Sequence, residues 1–163
     1  MEFAEKILQL GANERLVTFI ISMLPVVELR LAIPVGASMG LPVWEAALIS
    51  IVGNLLPAPF IIAFIRKVMD WLRGRAEWMR RFVAWLEKKG TGPRADRVRK
   101  YEFWGLVLFV AIPLPGTGAW TGALVAALLD IHMRRALPPI ILGVLIAAVI
   151  VSLATAGVIS LVV

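Results

Sequence analysis

Six apolar runs make up most of this chain, and only two are long enough to cross a bilayer. A helical crossing takes about 20 consecutive apolar residues. Segments 43–65, VWEAALISIVGNLLPAPFIIAFI, and 136–163, ALPPIILGVLIAAVIVSLATAGVISLVV, reach that length. The other four come in pairs. Residues 16–27 and 31–42 flank the charged Glu28 and Arg30, while 104–115 and 123–129 flank GTGAWTG. Arms this short suit re-entrant hairpins, which dip into the membrane and return to the side they came from.

Composition places the chain in a bilayer. Hydrophobic residues make up 60% and charged residues 17%, with a mean hydropathy of +0.88, far from the balance of soluble domains. The charge is unevenly placed. Between Arg66 and Glu102 stand twelve of the seventeen Lys and Arg residues against five acids, which predicts a cytoplasmic loop under the positive-inside rule. That membrane role accounts for the basic run, so no nucleic-acid partner is expected. The acid-bearing start, MEFAEKILQLGANERL, reads as carrying no cleavable signal peptide. With no cysteine in the chain, disulfides and thiolate catalysis are excluded.

The same charge rule chooses between two topologies. If 16–41 and 104–129 were ordinary spans, Arg134 and Arg135 would face outward. If both are re-entrant, HMRR at 132–135 returns to the cytoplasm and both termini lie outside. The expected fold is therefore an all-α integral membrane protein: an inverted repeat of two re-entrant helical hairpins, each followed by a full transmembrane helix. Residues 1–163 form a single membrane domain, with the first repeat at 16–65, a basic loop at 66–103 and the second repeat at 104–163. The location is the cell membrane, multi-pass. Placing Leu24-Pro25 on Ile112-Pro113 sets Pro34 on Gly122, and a two-residue shift sets Gly53 on Gly143.

Helix breakers inside apolar sequence mark where the hairpins turn. Proline removes a donor and clashes with the preceding turn, and glycine permits tight reversals. Pro25, Pro34 and Gly36 are the candidate breaks of the first hairpin, and Pro113, Pro115, Gly116, Gly118 and Gly122 those of the second. Backbone that leaves the helix inside hydrocarbon survives only where protein or a water-filled cavity covers it. Helices restarting after each break would aim two N-termini at the protein centre, an arrangement suited to an anion.

Ionisable residues at bilayer depth usually face a cavity and pair with one another. Glu28 is the candidate proton acceptor and Arg30 the candidate holder of a phosphate or carboxylate, against the alternative of a salt bridge clamping the hairpin. Asp130 is a second candidate for proton coupling. Asn54 precedes Pro57 and Pro59, whose kink frees carbonyls that an amide could satisfy. Thr117, Trp120 and Thr121 offer two hydroxyls and an indole N–H near the second bend as substrate contacts. Arg134 and Arg135 read as a topology anchor or an inner gate.

In the basic loop Trp71, Trp78 and Trp85 recur every seven residues, with Val68 and Phe82 on the same face. That spacing predicts a cytoplasmic amphipathic helix over about 68–88. GTGPRAD at 90–96 lacks the GxxxxGK[ST] pattern, so no nucleotide site is expected. His132 stands alone, so neither a metal site nor any other cofactor is expected. No Ser/His or paired-acid arrangement points to an enzyme.

LPVVELRLAIPVGASMG, GNLLPAPFI and FVAIPLPGTGAWTGALVAALL together resemble the small multidrug export protein family, a relative of the DedA (SNARE-associated, VTT-domain) membrane proteins. The resemblance runs from about Leu24 to the C-terminus. It implies two re-entrant hairpins in inverted halves and a link to proton-coupled transport or flipping of lipids such as undecaprenyl phosphate. Glu28 and Arg30 match the first hairpin of the DedA proteins; in the second, uncharged GTGAWTG stands where those proteins carry an arginine-bearing motif. The reading is a proton-coupled transporter or lipid flippase for a lipid phosphate or small amphipathic molecule. An uncoupled scramblase and a non-transport assembly factor are the alternatives. Membrane lipids are the surrounding partners, and a homodimer would help cover the hairpins.

Overall fold

The structure, a computed structural model, describes residues 13–73, 77, 81, 95–114, 117–129 and 131–162. Among these residues the ordered elements are all helices: α1 (Glu14–Met23), α2 (Glu28–Ser38), α3 (Val43–Leu55), α4 (Pro57–Arg73), α5 (Ala95–Ala111), α6 (Ala119–Leu128) and α7 (Met133–Val162). Two stretches, Val43–Val68 and Met133–Leu161, are long and apolar enough to cross a membrane. Pro138 and Pro139 stand inside α7.

Local chemistry sets most of the boundaries. Asn13 caps α1, its side chain accepting the Arg15 N–H at 3.2 Å. The helix stops at Leu24, whose extended backbone (φ −73, ψ 137) is the conformation a following proline favours. Beyond α2 the chain reverses at Gly40, at φ +97, a dihedral that side-chain-bearing residues avoid. Leu56 bends the first long segment. Pro57 then opens α4 at the first helical position, where its missing N–H would have had no partner anyway.

In the first half α1 packs on both α2 and α3. Arg15 pairs with Glu45 at 2.5 Å, tying the start of α1 to the first turn of α3. Thr18 and Ala46 close on Gly36, where an added Cβ would stand 2.8 Å from Thr18 Oγ1. One turn further, Ser22 and the Phe19 carbonyl press against Gly53. These contacts run α1 parallel to α3 and bring α2 back alongside. In the second half α5 packs on α7, with Val107 and Val110 closing on Gly143, and Glu102 and Arg135 border one small cavity at the base. Across the halves α6 lies on α4, and α2 and α3 lie on α7. The main core joins Leu29, Ile33 and Ile62 to Val110, Ala123, Ile140 and Val144.

Several expected boundaries move. Pro34 and Gly36 are inside α2, so neither breaks the hairpin; the turn is at 24–27, beside Pro25. Proline in a membrane helix is tolerated when neighbouring groups satisfy the freed backbone, and Gly36 serves close packing. Gly122 likewise is inside α6, which starts at Ala119, and the break lies at 112–118 with Pro113 and Gly118 in it. Pro115 and Gly116 fall outside the described residues. The 103/104 boundary cuts α5, which begins at Ala95. The first long segment continues through Val68 and Trp71 to Arg73; Trp78, Phe82, Trp85 and Lys88 of the expected amphipathic helix lie outside the described residues.

Candidate functional site: the seam between two chain reversals

Each reversal leaves main-chain groups that no helix satisfies, and the two reversals meet. Arg30, in the first turn of α2, reaches into the 112–118 break. Its Nη2 donates to the Ile112 carbonyl at 2.9 Å and to Thr117 Oγ1 at 3.0 Å, and its Nη1 donates to the Leu114 carbonyl. The Thr117 hydroxyl can donate to Ile112 O at 2.7 Å or to Leu114 O at 2.9 Å. A guanidinium is well suited to this task because it presents several donors in one fixed plane. The same two carbonyls also accept backbone N–H groups inside the break, Leu114 N–H on Ile112 O at 2.8 Å and Thr117 N–H on Leu114 O at 3.2 Å, so Arg30 adds a second donor to each.

In return, the second reversal satisfies the first. Trp120, in the first turn of α6, donates its backbone N–H to Glu28 Oε1 at 3.3 Å, and its indole Nε1–H donates to the Met23 carbonyl at 3.0 Å. The carboxylate therefore sits where a helix N-terminus favours negative charge. At that N-terminus, where the sequence suggests room for an anion, the chain places its own Glu28. Its side chain is 3% exposed, and Arg30 Nη1 lies 3.9 Å from Glu28 Oε2. Glu28 also adopts φ +49, a left-handed conformation costing about 1–2 kcal/mol for a residue with a Cβ.

Gly118 makes the seam possible. Its φ is +153, and a Cβ there would collide with the Glu28 carboxylate. An 88-residue displacement, the one that relates Pro25 to Pro113, also relates Arg30 to Gly118. One reversal carries the charges and the other the hollow that accepts them.

Arg30 also borders a cavity of about 610 Å³ with Pro34, Pro113, Val151, Ala154 and Thr155. Apart from Arg30 its walls are apolar or hydroxyl-bearing. Pro113, Ile150, Ala154 and Val158 on its rim are exposed, so the cavity is open at the surface of the chain. The Arg30 side chain is 12% exposed, and its buried Nε–H has no acceptor among the described residues.

The structure thus brings Glu28, Arg30, Thr117 and Trp120 together. Thr121 lines a separate cavity with Trp120. Asn54 is buried at 1% exposure, and neither atom of its amide has a hydrogen-bond partner among the described residues; it does not satisfy the kink carbonyls. Asp130 lies outside the described residues. Among the described residues there is no metal-binding cluster of His, Cys, Asp or Glu. Sequence reasoning missed the main-chain oxygens of Met23, Ile112 and Leu114, which leave no side-chain signature. It also missed Thr155, whose polarity inside the last apolar run was an available signal.

Residues 28–150 match a family model described as putative small multi-drug export protein. No curated protein and no solved structure matches the chain.

Proposed function

The chain belongs to the putative small multi-drug export protein family, and from that premise we propose that it is a membrane transporter moving an amphipathic anion through the Arg30 cavity. The observation that carries this reading is one guanidinium set in a surface-open cavity beside the seam whose other described lining residues are uncharged. An alkyl chain fits the apolar walls, and an anionic head finds in Arg30 the one formal charge among the described lining residues. Binding would draw Arg30 from the Leu114 and Ile112 carbonyls, loosening the seam that separates the two sides. Glu28, released from its charge partner, would then carry the coupling proton. In this reading the basic segment 66–102 is cytoplasmic.

In this reading the two hairpins cross half of the membrane, which suits alternating exposure. Ser22 at the end of α1 packs on Gly53, the eleventh of the 26 residues of Val43–Val68, and Val110 at the end of α5 packs on Gly143, the eleventh of the 29 residues of Met133–Leu161. In this reading both reversals lie inside the bilayer. The contacts also repeat: Phe19 and Ser22 on Gly53 correspond to Val107 and Val110 on Gly143, with the arms displaced by 88 positions and the glycines by 90. Inverted halves of this kind are a recurrent transporter construction.

The test is flux of a fluorescent alkyl phosphate into proteoliposomes. The wild-type chain should move it faster under an imposed proton gradient, and Arg30→Gln should abolish the movement. Equal flux with and without the gradient would remove coupling and leave a scramblase; undiminished flux in Arg30→Gln would remove the site.

A further inference from the structure

A second cavity lies on the far side of the seam. It measures about 430 Å³ and is lined by Pro25, Ile61, Phe64, Trp120, Thr121 and Leu124. Its construction matches that of the Arg30 cavity wall for wall. Each has the proline of one reversal: Pro113 in the larger cavity, Pro25 in this one. Each has the returning helix of the other hairpin, α2 in one case and α6 in the other. Each is closed by one long segment, and there the correspondence is residue by residue. Ile61, Phe64 and Ile65 become Val151, Ala154 and Thr155 when displaced by 90 positions, the displacement that carries Gly53 onto Gly143.

The two cavities differ in charge. The larger holds Arg30; among the described residues lining the smaller, none is ionisable, and the Trp120 indole N–H is already given to Met23. Phe64, Ile61 and Leu124 supply apolar surface, and Thr121 supplies a hydroxyl.

We infer that this second cavity is the repeat-related other half of the substrate route, holding the same single-chain amphiphile by its apolar portion, without regard to head-group charge. This rests on the Arg30 cavity being the substrate site. The route then has a charge-selective end and an unselective end. Head-group selection happens at Arg30, and the Pro25 cavity receives or releases whatever has passed.

Photolabelling of the full chain in lipid nanodiscs tests this, using a diazirine-bearing dodecyl phosphate and its uncharged dodecanol analogue. Adducts are mapped by mass spectrometry and challenged with unlabelled dodecyl phosphate. At Ile150–Ala154 the phosphate should outlabel the alkanol roughly tenfold, the scale of a charge-assisted hydrogen bond, and Arg30→Gln should erase that preference. At Phe64 and Leu124 both probes should label within about twofold of each other, the competitor should chase them, and Arg30→Gln should change nothing. Leu124→Trp, which fills the smaller cavity, should remove those adducts while sparing Ile150–Ala154. Competable labelling confined to Ile150–Ala154 overturns the inference and leaves the Arg30 site standing. A phosphate preference at Phe64 and Leu124 overturns the charge-indifferent assignment. Competable labelling at neither cavity overturns the Arg30 site itself.

Discussion

The Glu28 carboxylate accepts the backbone N–H of Trp120 at 3.3 Å, across 92 positions of sequence. Glu28→Gln keeps an oxygen for the Trp120 N–H and removes the titrating group. The variant should fold, and the gradient-driven part of alkyl phosphate flux should fall by about tenfold or more, on the scale of one charge-assisted contact. Flux with and without a pH gradient in proteoliposomes checks this; an unchanged gradient response would exclude Glu28 from coupling.

Arg30 should be irreplaceable by lysine. The ammonium group offers three donors from a single point, whereas the guanidinium reaches Ile112 O, Leu114 O and Thr117 Oγ1 from two nitrogens of one plane. Arg30→Lys should lower stability by about 1.5–3 kcal/mol, the range for hydrogen bonds to charged groups. Arg30→Gln should cost more, about 3–5 kcal/mol, because Glu28 is then buried without a charge partner. In the Arg30→Gln background, Glu28→Gln should restore part of the loss. Denaturant unfolding of the three variants in detergent micelles reads these differences.

Gly118→Ala should destabilise the protein by about 1–3 kcal/mol through the collision with Glu28 and the strained dihedral. Gly105 in α5 is the control. Nothing lies within 4 Å of a Cβ there, and Gly105→Ala should be neutral or stabilising by up to about 1 kcal/mol. Thermal unfolding of both variants makes the comparison.

Gly53→Ala and Gly143→Ala should behave as a matched pair. At Gly53 a Cβ meets the Phe19 carbonyl at 2.8 Å and collides with Ser22; at Gly143 it meets Val110 Cβ at 2.6 Å and the Val107 carbonyl at 2.9 Å. Main-chain atoms cannot rotate away, so each should cost about 1–3 kcal/mol by pushing the first arm off its long helix. Similar losses of thermal stability are the expected result, and a silent Gly143→Ala would break the correspondence between the halves.

What was legible in the sequence was the part governed by length and by missing donors. Run length separated the two long segments from the short arms, and Pro25 and Pro113 stand at chain reversals because proline forces the preceding residue out of helix. Illegible were the distinctions that depend on a neighbour. Pro34 and Gly36 carry the same letters as a break, yet the closeness of Thr18 and Ala46 is what gives Gly36 its use. GTGAWTG read as one unit, while the helix begins inside it at Ala119 because Glu28 caps the next N–H. The Arg30 contacts were hidden for a plainer reason: two of the three acceptors belong to the peptide bond.

The two partners of these contacts differ in how they tolerate mutation. Every amino acid carries a carbonyl, so codons 112 and 114 can drift among many residues and still present the oxygens that Arg30 requires. Codon 30 has no such latitude, since no other side chain offers the same fork. For these contacts the fragility therefore sits at Arg30, and a saturation library should show a sharp intolerance at 30 against tolerance at 112 and 114, whose carbonyls it touches.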